Sequence, residues 1–444
     1  MASDNDSDPC DNDDSNSSSD ESSISDDQQW LIDLQRIKEN DPRTTHLGGD
    51  GENERMQNML QNMTDVEWRE IGRDISNNTY LQYVYLCSGA LNDQNLSFLF
   101  RGLTRSSSIN EMLLYGNGLG VEGVGSMVPF LRNANNLLKL HVGRNNIQSE
   151  GFNVLFRALR DSPIETLICA RCGIESIDID DNSTPRNLRH LNLIANSINA
   201  DGCREVAKLL QGGDSTLGSL FLTENKIDDE GVEILVDALQ NNTSLKTLNV
   251  GRNDGISNRG KIMLLKLVND ISSIKATLQS NHTLTQVIGE LFKPDEYELD
   301  PDDEIIKMHI NNAVAINMRN KDNPEVADRE KVIQTQLHSE TRAELADLQG
   351  VNRSLYSEIG TLHLPEVLAL VGRIHGQGEL YAALKSSIAG VISTVNEKQC
   401  IQDQMAYHAA KLEELGARLA VIEAVEGDVV EAGSESQINK RRRA

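Results

Sequence analysis

The stretch LLKLHVGRNNI, residues 137–147, contains the pattern that decides the fold. Leu137, Leu140, Val142, Asn145 and Ile147 follow the spacing L-x-x-L-x-L-x-x-N-x-L. Copies of the pattern begin at residues 81, 109, 137, 164, 188, 217, 245 and 284, and the copy at 284 is truncated. Successive copies start 28, 28, 27, 24, 29, 28 and 39 residues apart, which is typical of a repeat protein.

Each copy predicts a strand, a turn and a helix. Leu140 and Val142 alternate with other residues, as on a strand with one buried face. Asn145 falls at the turn, where the backbone of a stacked neighbour can bond its amide. From Gly151 the apolar positions at +4, +7 and +8 define one face of a helix. One unit cannot bury both faces, so neighbouring units must stack.

This pattern resembles the leucine-rich repeats of the ribonuclease-inhibitor type. The resemblance covers residues 66–290 and implies an α/β fold, a leucine-rich repeat solenoid with parallel strands on the concave side and helices on the convex side. It also implies a protein-binding function, which most members of the family have. Residues 364–386 resemble a C-terminal region that accompanies such repeats in families of diatom proteins.

The fourth copy departs from the pattern. Cys169 replaces a strand leucine and Cys172 replaces the turn asparagine. Between Ile174 and Leu188, three aspartates and a proline stand where a helical stripe would be. We therefore expect a loop there instead of a helix.

The charge of the chain is strongly negative, at −26 over 444 residues. Residues 1–28 hold ten Asp or Glu, nine Ser and no Lys or Arg, which predicts an acidic disordered tail. Ser17, Ser18 and Ser23 each lie three residues before an acid, a spacing that resembles sites of acidophilic kinases and also arises by chance in such a tail. We expect no nucleic-acid partner, no membrane contact, and an intracellular location, cytoplasmic or nuclear.

The chain divides into seven segments. Residues 1–28 are the tail, 29–65 an N-terminal helix with a connector, 66–292 the solenoid, 293–325 an acidic linker, 326–396 a helical region, 397–426 a heptad helix, and 427–444 a flexible tail with a basic end. Residues 44–47 predict an imperfect extra strand, and Val66 to Ile75 predict a helix that covers the open end of the stack.

The heptad helix carries apolar residues, with His408 among them, at alternating spacings of four and three across residues 401–422. This pattern predicts either a coiled coil, and so a homodimer, or a helix folded back onto residues 364–395. The basic run at 440–443 is interpreted either as a nuclear address or as a solvated tail.

Other motif matches do not indicate chemistry. Gly118, Gly120 and Gly123 form GxGxxG but coincide with repeat positions. The CxxC pair of Cys169 and Cys172 has no second pair to complete a zinc site, and residues 178–189 fail the calcium-loop pattern. We therefore expect no cofactor, no metal and no catalytic residues.

The candidate site is the concave face, where the strand residues between core positions should lie. We expect an aromatic and apolar patch on the first strands, followed by a basic strip. The candidate residues are Tyr83, Tyr85, Leu113, Tyr115, Lys139, His141, Arg144, Ile168, Arg171, His190 and Phe221. Such a surface suits a protein partner that is acidic and partly apolar. The alternative is that the helical C-terminal region, or the chain's own acidic tail, covers this face.

Two function classes follow. The first is a non-enzymatic protein–protein interaction scaffold that binds its partner on the concave face. The alternative is a GTPase-activating protein, because this repeat type with an acidic segment is similar to activators of the Ran GTPase. Asn117 or Arg144 would then have to stabilise the phosphoryl transition state.

Overall fold

The computed structural model describes residues 25–49, 54–87, 91–179, 184–211, 215–288, 301–336 and 339–351. The chain divides into two compact units: residues 1–332 with 344–351, and residues 333–343 with 352–444. The repeats lie in the first unit. The predicted heptad segment, residues 364–386, the basic end and most of the acidic tail lie outside the described residues.

The strands of the described residues form one parallel sheet in chain order. They are β1 (His46–Gly49), β2 (Tyr83–Leu86), β3 (Glu111–Leu113), β4 (Lys139–His141), β5 (Thr166–Ile168), β6 (His190–Asn192), β7 (Ser219–Phe221), β8 (Thr247–Asn249) and β9 (Gln286–Ile288). One core residue of each strand lies beside its counterpart in the next: Leu47, Val84, Met112, Leu140, Leu167, Leu191, Leu220, Leu248 and Val287. This register confirms the predicted solenoid.

Helices alternate with most strands. They are α1 (Asp26–Lys38), α2 (Glu54–Gln61), α3 (Asp65–Asn77), α4 (Asp93–Gly102), α5 (Val121–Asn133), α6 (Gln148–Ala158), α7 (Ala200–Leu210), α8 (Asp229–Leu239), α9 (Asn258–Val268), α10 (Ile274–Gln279), α11 (Pro301–Arg319), α12 (Pro324–Lys331) and α13 (Ser339–Gln349), with a π-helix at Val332–Gln336. The recurrent glycine lies in the first turn because a side chain there would collide with the preceding isoleucine. A Cβ on Gly202 would lie 2.6 Å from Cγ2 of Ile198.

The fourth repeat has no helix in its described residues, as expected. Residues 173–179 and 184–189 run from β5 to β6 without one. Ile177 and Ile179 are buried and close the core in place of a helical stripe.

The N-terminal end differs from the expected arrangement. β1 pairs with β2 and α3 packs on α4, so β1 and α3 form an additional repeat before residue 81. The helix expected to cover the stack, residues 66–75, is therefore the convex helix of that repeat. The covering element is α1, which packs on α3 and β1 and buries Trp30 and Ile37.

The C-terminal end also extends farther than expected. The segment expected as a linker, 293–325, contains α11, which packs on α9 and β9. Ile306 and Ile310 of α11 are buried in the same continuous core as the repeats. α11 therefore acts as the helix of the last repeat.

Candidate functional site

A line of asparagines, four of them buried and Asn196 half-buried, holds the repeats together beside the sheet. Asn145 donates from Nδ2 to the carbonyls of Leu114 and Val142 at 2.8 and 2.9 Å. Its Oδ1 accepts the N–H of Leu119 at 2.9 Å. The same amide joins neighbouring turns at each equivalent position: Asn117, Asn145, Asn196, Asn225 and Asn253. The predicted alignment of these residues is confirmed.

Cys172 takes the asparagine position in the fourth repeat. Its thiol lies 3.2 Å from the carbonyl of Val142 and can donate to it, but sulfur is a poor substitute for an amide oxygen as acceptor. The turn of the preceding repeat therefore has a different backbone conformation. Gln148 there adopts a φ of 55° and donates its N–H to the carbonyl of Cys172. Burial raises the pKa of Cys172 to about 12 and that of Cys169 well above its usual range. These thiols are core residues.

A second line runs along the rim, one residue before the asparagine position of each repeat; its arginines are exposed, and Ala195 and Glu224 are half-buried. The residues there adopt φ between 50° and 56°, in the left-handed region that costs a side chain about 1–2 kcal/mol. They are Arg144, Arg171, Ala195, Glu224 and Arg252. Each of the first four donates its N–H to a carbonyl of the next repeat, at 2.8–3.1 Å. The stacking thus places these five residues, three arginines, one alanine and one glutamate, in a row, which we call the rim line.

The first strands carry an aromatic cluster on the concave face. The imidazole of His46 stacks on the ring of Tyr83 with centroids 4.4 Å apart, and Tyr85 lies 6.1 Å from Tyr83. Tyr83 and Tyr85 are half-buried and His46 is exposed. Sequence reasoning missed His46, although the extra strand expected at 44–47 would have placed it beside Tyr83.

Three residues expected on an exposed patch are buried instead. Leu113 and Tyr115 are each 3% exposed and His141 is fully buried. Leu113 and Tyr115 pack with Cys87 in a small second core, and the Tyr115 and His141 rings lie 5.1 Å apart. The expectation that these residues form an exposed surface is therefore wrong, because large side chains on neighbouring strands bury one another. Burial lowers the pKa of His141 to about 4.

The middle strands carry the accessible part of the site. Ile168 and Phe221 are half-buried, and Asn192 of β6 lies between them in the strand register. His190, two residues earlier on β6, is exposed. Asn192 and Asn249 are half-buried, and each accepts a backbone N–H of its own turn through Oδ1. Two apolar side chains, one on each side of Asn192, therefore lie on the concave face, with His190 on the same strand as Asn192.

The concave face and its rims from β3 to β8 are positive in an acidic chain. Six cationic side chains lie there: Lys139, Arg144, Arg171, Arg189, Lys246 and Arg252. Three carboxylates accompany them: Glu111, Glu165 and Glu224. Arg189, Lys246, Arg252 and the carboxylates were missed by sequence reasoning; Arg252 shares the repeat offset of Arg144 and Arg171, so periodicity alone could have found it.

The ion pairs within this region differ in strength. Lys139 lies 2.9 Å from Glu111, and both side chains are largely covered, so the charge of Lys139 is neutralised. Arg171, 56% exposed, lies 3.7 Å from Glu224, and Arg189 lies 3.5 Å from Glu165. Exposed pairs at these distances contribute little, so these arginines keep their capacity to bind an acidic group. Arg144 stacks its guanidinium 5.0 Å from the centre of the Tyr115 ring.

The backbone N–H groups of the GxGxxG stretch already have a partner within the protein. Oδ1 of Asp93 accepts the N–H groups of Gly120 and Gly123, each at 2.7 Å. A carboxylate thus fills the helix N-terminus where a phosphate would have to bind. The side-chain amide of Asn117 is also already hydrogen-bonded, to the backbone of two turns.

The described residues contain no group of three or more His, Cys, Asp or Glu side chains arranged to hold a metal ion. Among the helices of that same part of the chain, none combines the length and apolar character needed to cross a bilayer.

Comparisons with known proteins agree with the repeat architecture. The Leucine Rich repeat family model matches residues 133–152 and 241–265. The ribonuclease inhibitor of Mus musculus is 23% identical over 224 residues, which cover 49% of this chain and 48% of that protein. The ribonuclease inhibitor of Sus scrofa is 28% identical over 195 residues, 36% of this chain and 42% of that protein.

A third relative is the NACHT, LRR and PYD domains-containing protein 13 of Homo sapiens, 27% identical over 149 residues, which cover 32% of this chain and 14% of that protein. The chain thus spans less than half the length of each of these relatives. The parallel sheet, the asparagine line and the family match agree, and the chain is a leucine-rich repeat protein of the ribonuclease-inhibitor-like type.

Proposed function

We propose that this protein is a non-enzymatic scaffold that binds a protein partner on the concave face of β5 to β8. The observation that supports this most is the half-buried pair Ile168 and Phe221, flanked by exposed His190 and by the rim line. Apolar anchors with a polar rim are typical of protein interfaces. The partner is a protein whose contact surface is acidic and partly apolar.

The aromatic cluster at the other end of the face extends the proposed interface. His46 is exposed and Tyr83 half-buried, whereas Leu113, Tyr115 and His141 provide support from below. The set of proposed contact residues is therefore smaller than the set expected from the sequence. They are Tyr83, Tyr85, Ile168, Arg171, His190 and Phe221, with Arg144 on the rim.

A quantitative affinity purification tests the proposal. The wild-type chain is compared with Ile168→Glu combined with Phe221→Glu, which replaces both apolar anchors with charged side chains. The matched control is Val66→Glu with Met318→Glu, on convex helices, where the two side chains are 59% and 62% exposed. We expect the same partner with the wild type and the control, and at least a tenfold loss with the concave variant. Equal recovery by all three chains would reject this face.

We also propose that residues 401–422 join two copies of the chain and that the scaffold acts inside the cell. Size-exclusion chromatography with light scattering on the full chain and on a chain ending at residue 398 tests the first point. A dimeric mass that falls to a monomeric mass supports it, and the same mass for both chains refutes it.

A further inference from the structure

The rim line begins with two guanidinium groups in consecutive repeats. Arg144 and Arg171 occupy the same position in consecutive repeats, whose strands are hydrogen-bonded neighbours. Neighbouring strands lie about 4.8 Å apart, so the two side chains start about that distance from each other. Arg189 and Lys246, both exposed, add positive charge along the opposite rim.

One segment of the chain has the complementary chemistry. Residues 1–24 contain eight carboxylates and no cation, and they precede α1 at the β1 end of the sheet. Since α1 packs on β1, this segment starts at the same end as the aromatic cluster.

The segment is long enough to reach the rim line. Twenty-four residues span at most about 80 Å when extended. Five strand spacings from β1 to β6 amount to roughly 24 Å, and α1 adds about 20 Å. A tethered segment of this kind has an effective concentration on the order of mM, so a weak electrostatic affinity is enough for substantial occupancy.

We propose that residues 1–24 bind the concave face of their own chain through Arg144 and Arg171 and so compete with an acidic partner. This inference rests on the proposed function for its biological role, but the binding itself does not require a partner. Competition would make the scaffold selective for partners that offer apolar contacts as well as charge, because the segment supplies charge and almost no apolar area.

The test uses the full chain with Cys400→Ser and a fluorophore on Cys10, which lies within the acidic segment. Cys87, Cys169, Cys172 and Cys203 are buried, so the label goes to Cys10. The anisotropy of the label is measured in 50 and 500 mM NaCl for three chains. The first carries no further change, the second carries Arg144→Glu with Arg171→Glu, and the third is a control with Arg101→Glu and Arg204→Glu.

The control is matched in charge and exposure, because Arg101 and Arg204 are 46% and 48% exposed on α4 and α7. Glutamate is tolerated in the rim line, since Glu224 already occupies an equivalent position there. Circular dichroism confirms folding of each chain.

We expect a high anisotropy at low salt that falls at high salt in the unmodified and control chains. In the rim variant the anisotropy should already be low at 50 mM NaCl. The proposal is overturned if the rim variant keeps the salt response of the control, or if both double variants lose it equally. Partner recovery is a separate measurement. If residues 1–24 do not bind the rim line, the proposal that a partner binds the concave face still stands, and if no partner binds that face, the binding of residues 1–24 can still be tested by anisotropy.

Discussion

At the residue scale, the amide of Asn145 satisfies backbone groups that water cannot reach. Its Nδ2 donates to three carbonyls, its Oδ1 accepts one N–H, and the side chain is 5% exposed. Each buried group left unsatisfied costs about 1–3 kcal/mol. Asn145→Ala should therefore lower the unfolding free energy by roughly 2–4 kcal/mol, measured as a shift of the urea midpoint.

The neighbouring residue provides the control for that substitution. Asn146 is exposed, and its side chain makes one long hydrogen bond to Gln148 at 3.3 Å. Asn146→Ala should leave the urea midpoint almost unchanged. Equal midpoints for both variants would show that the asparagine line contributes nothing to stability.

The buried thiols give a second prediction at this scale. Burial raises the pKa of Cys172 and of Cys203 to about 12, so at pH 8 almost none of either thiol is ionised. Since the thiolate is the nucleophile, iodoacetamide should modify Cys169, Cys172 and Cys203 only after unfolding in urea. Mass spectrometry of peptides from native and unfolded protein measures this, and rapid native modification of Cys172 would contradict its place in the core.

The burial of His141 predicts that the stability of the folded chain depends on pH. Burial lowers its pKa from 6.5 to about 4, so the unfolded chain takes up a proton in this window and the folded chain does not. Stability should fall as the pH drops from 6.5 towards 4, by up to about 3 kcal/mol from this group. Urea midpoints at pH 7 and pH 5 should differ less in His141→Gln than in the wild type; an equal difference would assign the effect to other groups.

At the element scale, α1 covers the first repeat. Trp30 is buried against this end of the core, whereas Leu31 on the same helix is 57% exposed. Trp30→Ala should destabilise the chain by about 3–5 kcal/mol, as truncation of a buried aromatic side chain does. Thermal unfolding followed by circular dichroism measures it, and Leu31→Ala is the control. If the two variants melt together, α1 does not stabilise the stack.

The strands and the regular helices could be predicted from the sequence because each repeat shows both periodicities. The terminal elements could not. α11 follows an acidic stretch with two prolines, Pro294 and Pro301, which is typical of a linker, yet Pro301 is the first residue of a helix. Proline is compatible with that position because the first helical N–H needs no partner within the helix.

The sequence predicts which side chains lie on the concave face, but it does not predict how exposed each of them is. Alternation along β4 correctly places His141 away from the main core with Lys139. It carries no information on how side chains of adjacent strands cover each other, so the burial of Leu113, Tyr115 and His141 was missed. The positive φ of the rim line also depends on stacking, since the N–H groups of its first four residues bond carbonyls of the next repeat.

At the scale of the whole molecule, charge is unevenly distributed. The chain carries −26 overall, while six cations and three carboxylates lie on the concave face and its rims. Partner association should therefore slow as salt screens this attraction, with the association rate falling roughly tenfold or more between 50 and 500 mM NaCl. Surface plasmon resonance measures the association rate. A rate that does not change with salt would show that electrostatic attraction does not speed partner association.

The central claim is that the concave face of β5 to β8 is where the partner binds. Hydroxyl-radical footprinting of the chain, alone and with the recovered partner, tests it most directly. We expect Ile168, His190 and Phe221 to become protected in the complex while Val66 and Met318 on the convex helices react as before. Protection of Val66 or Met318 with unchanged reactivity at Ile168 and Phe221 would contradict the account.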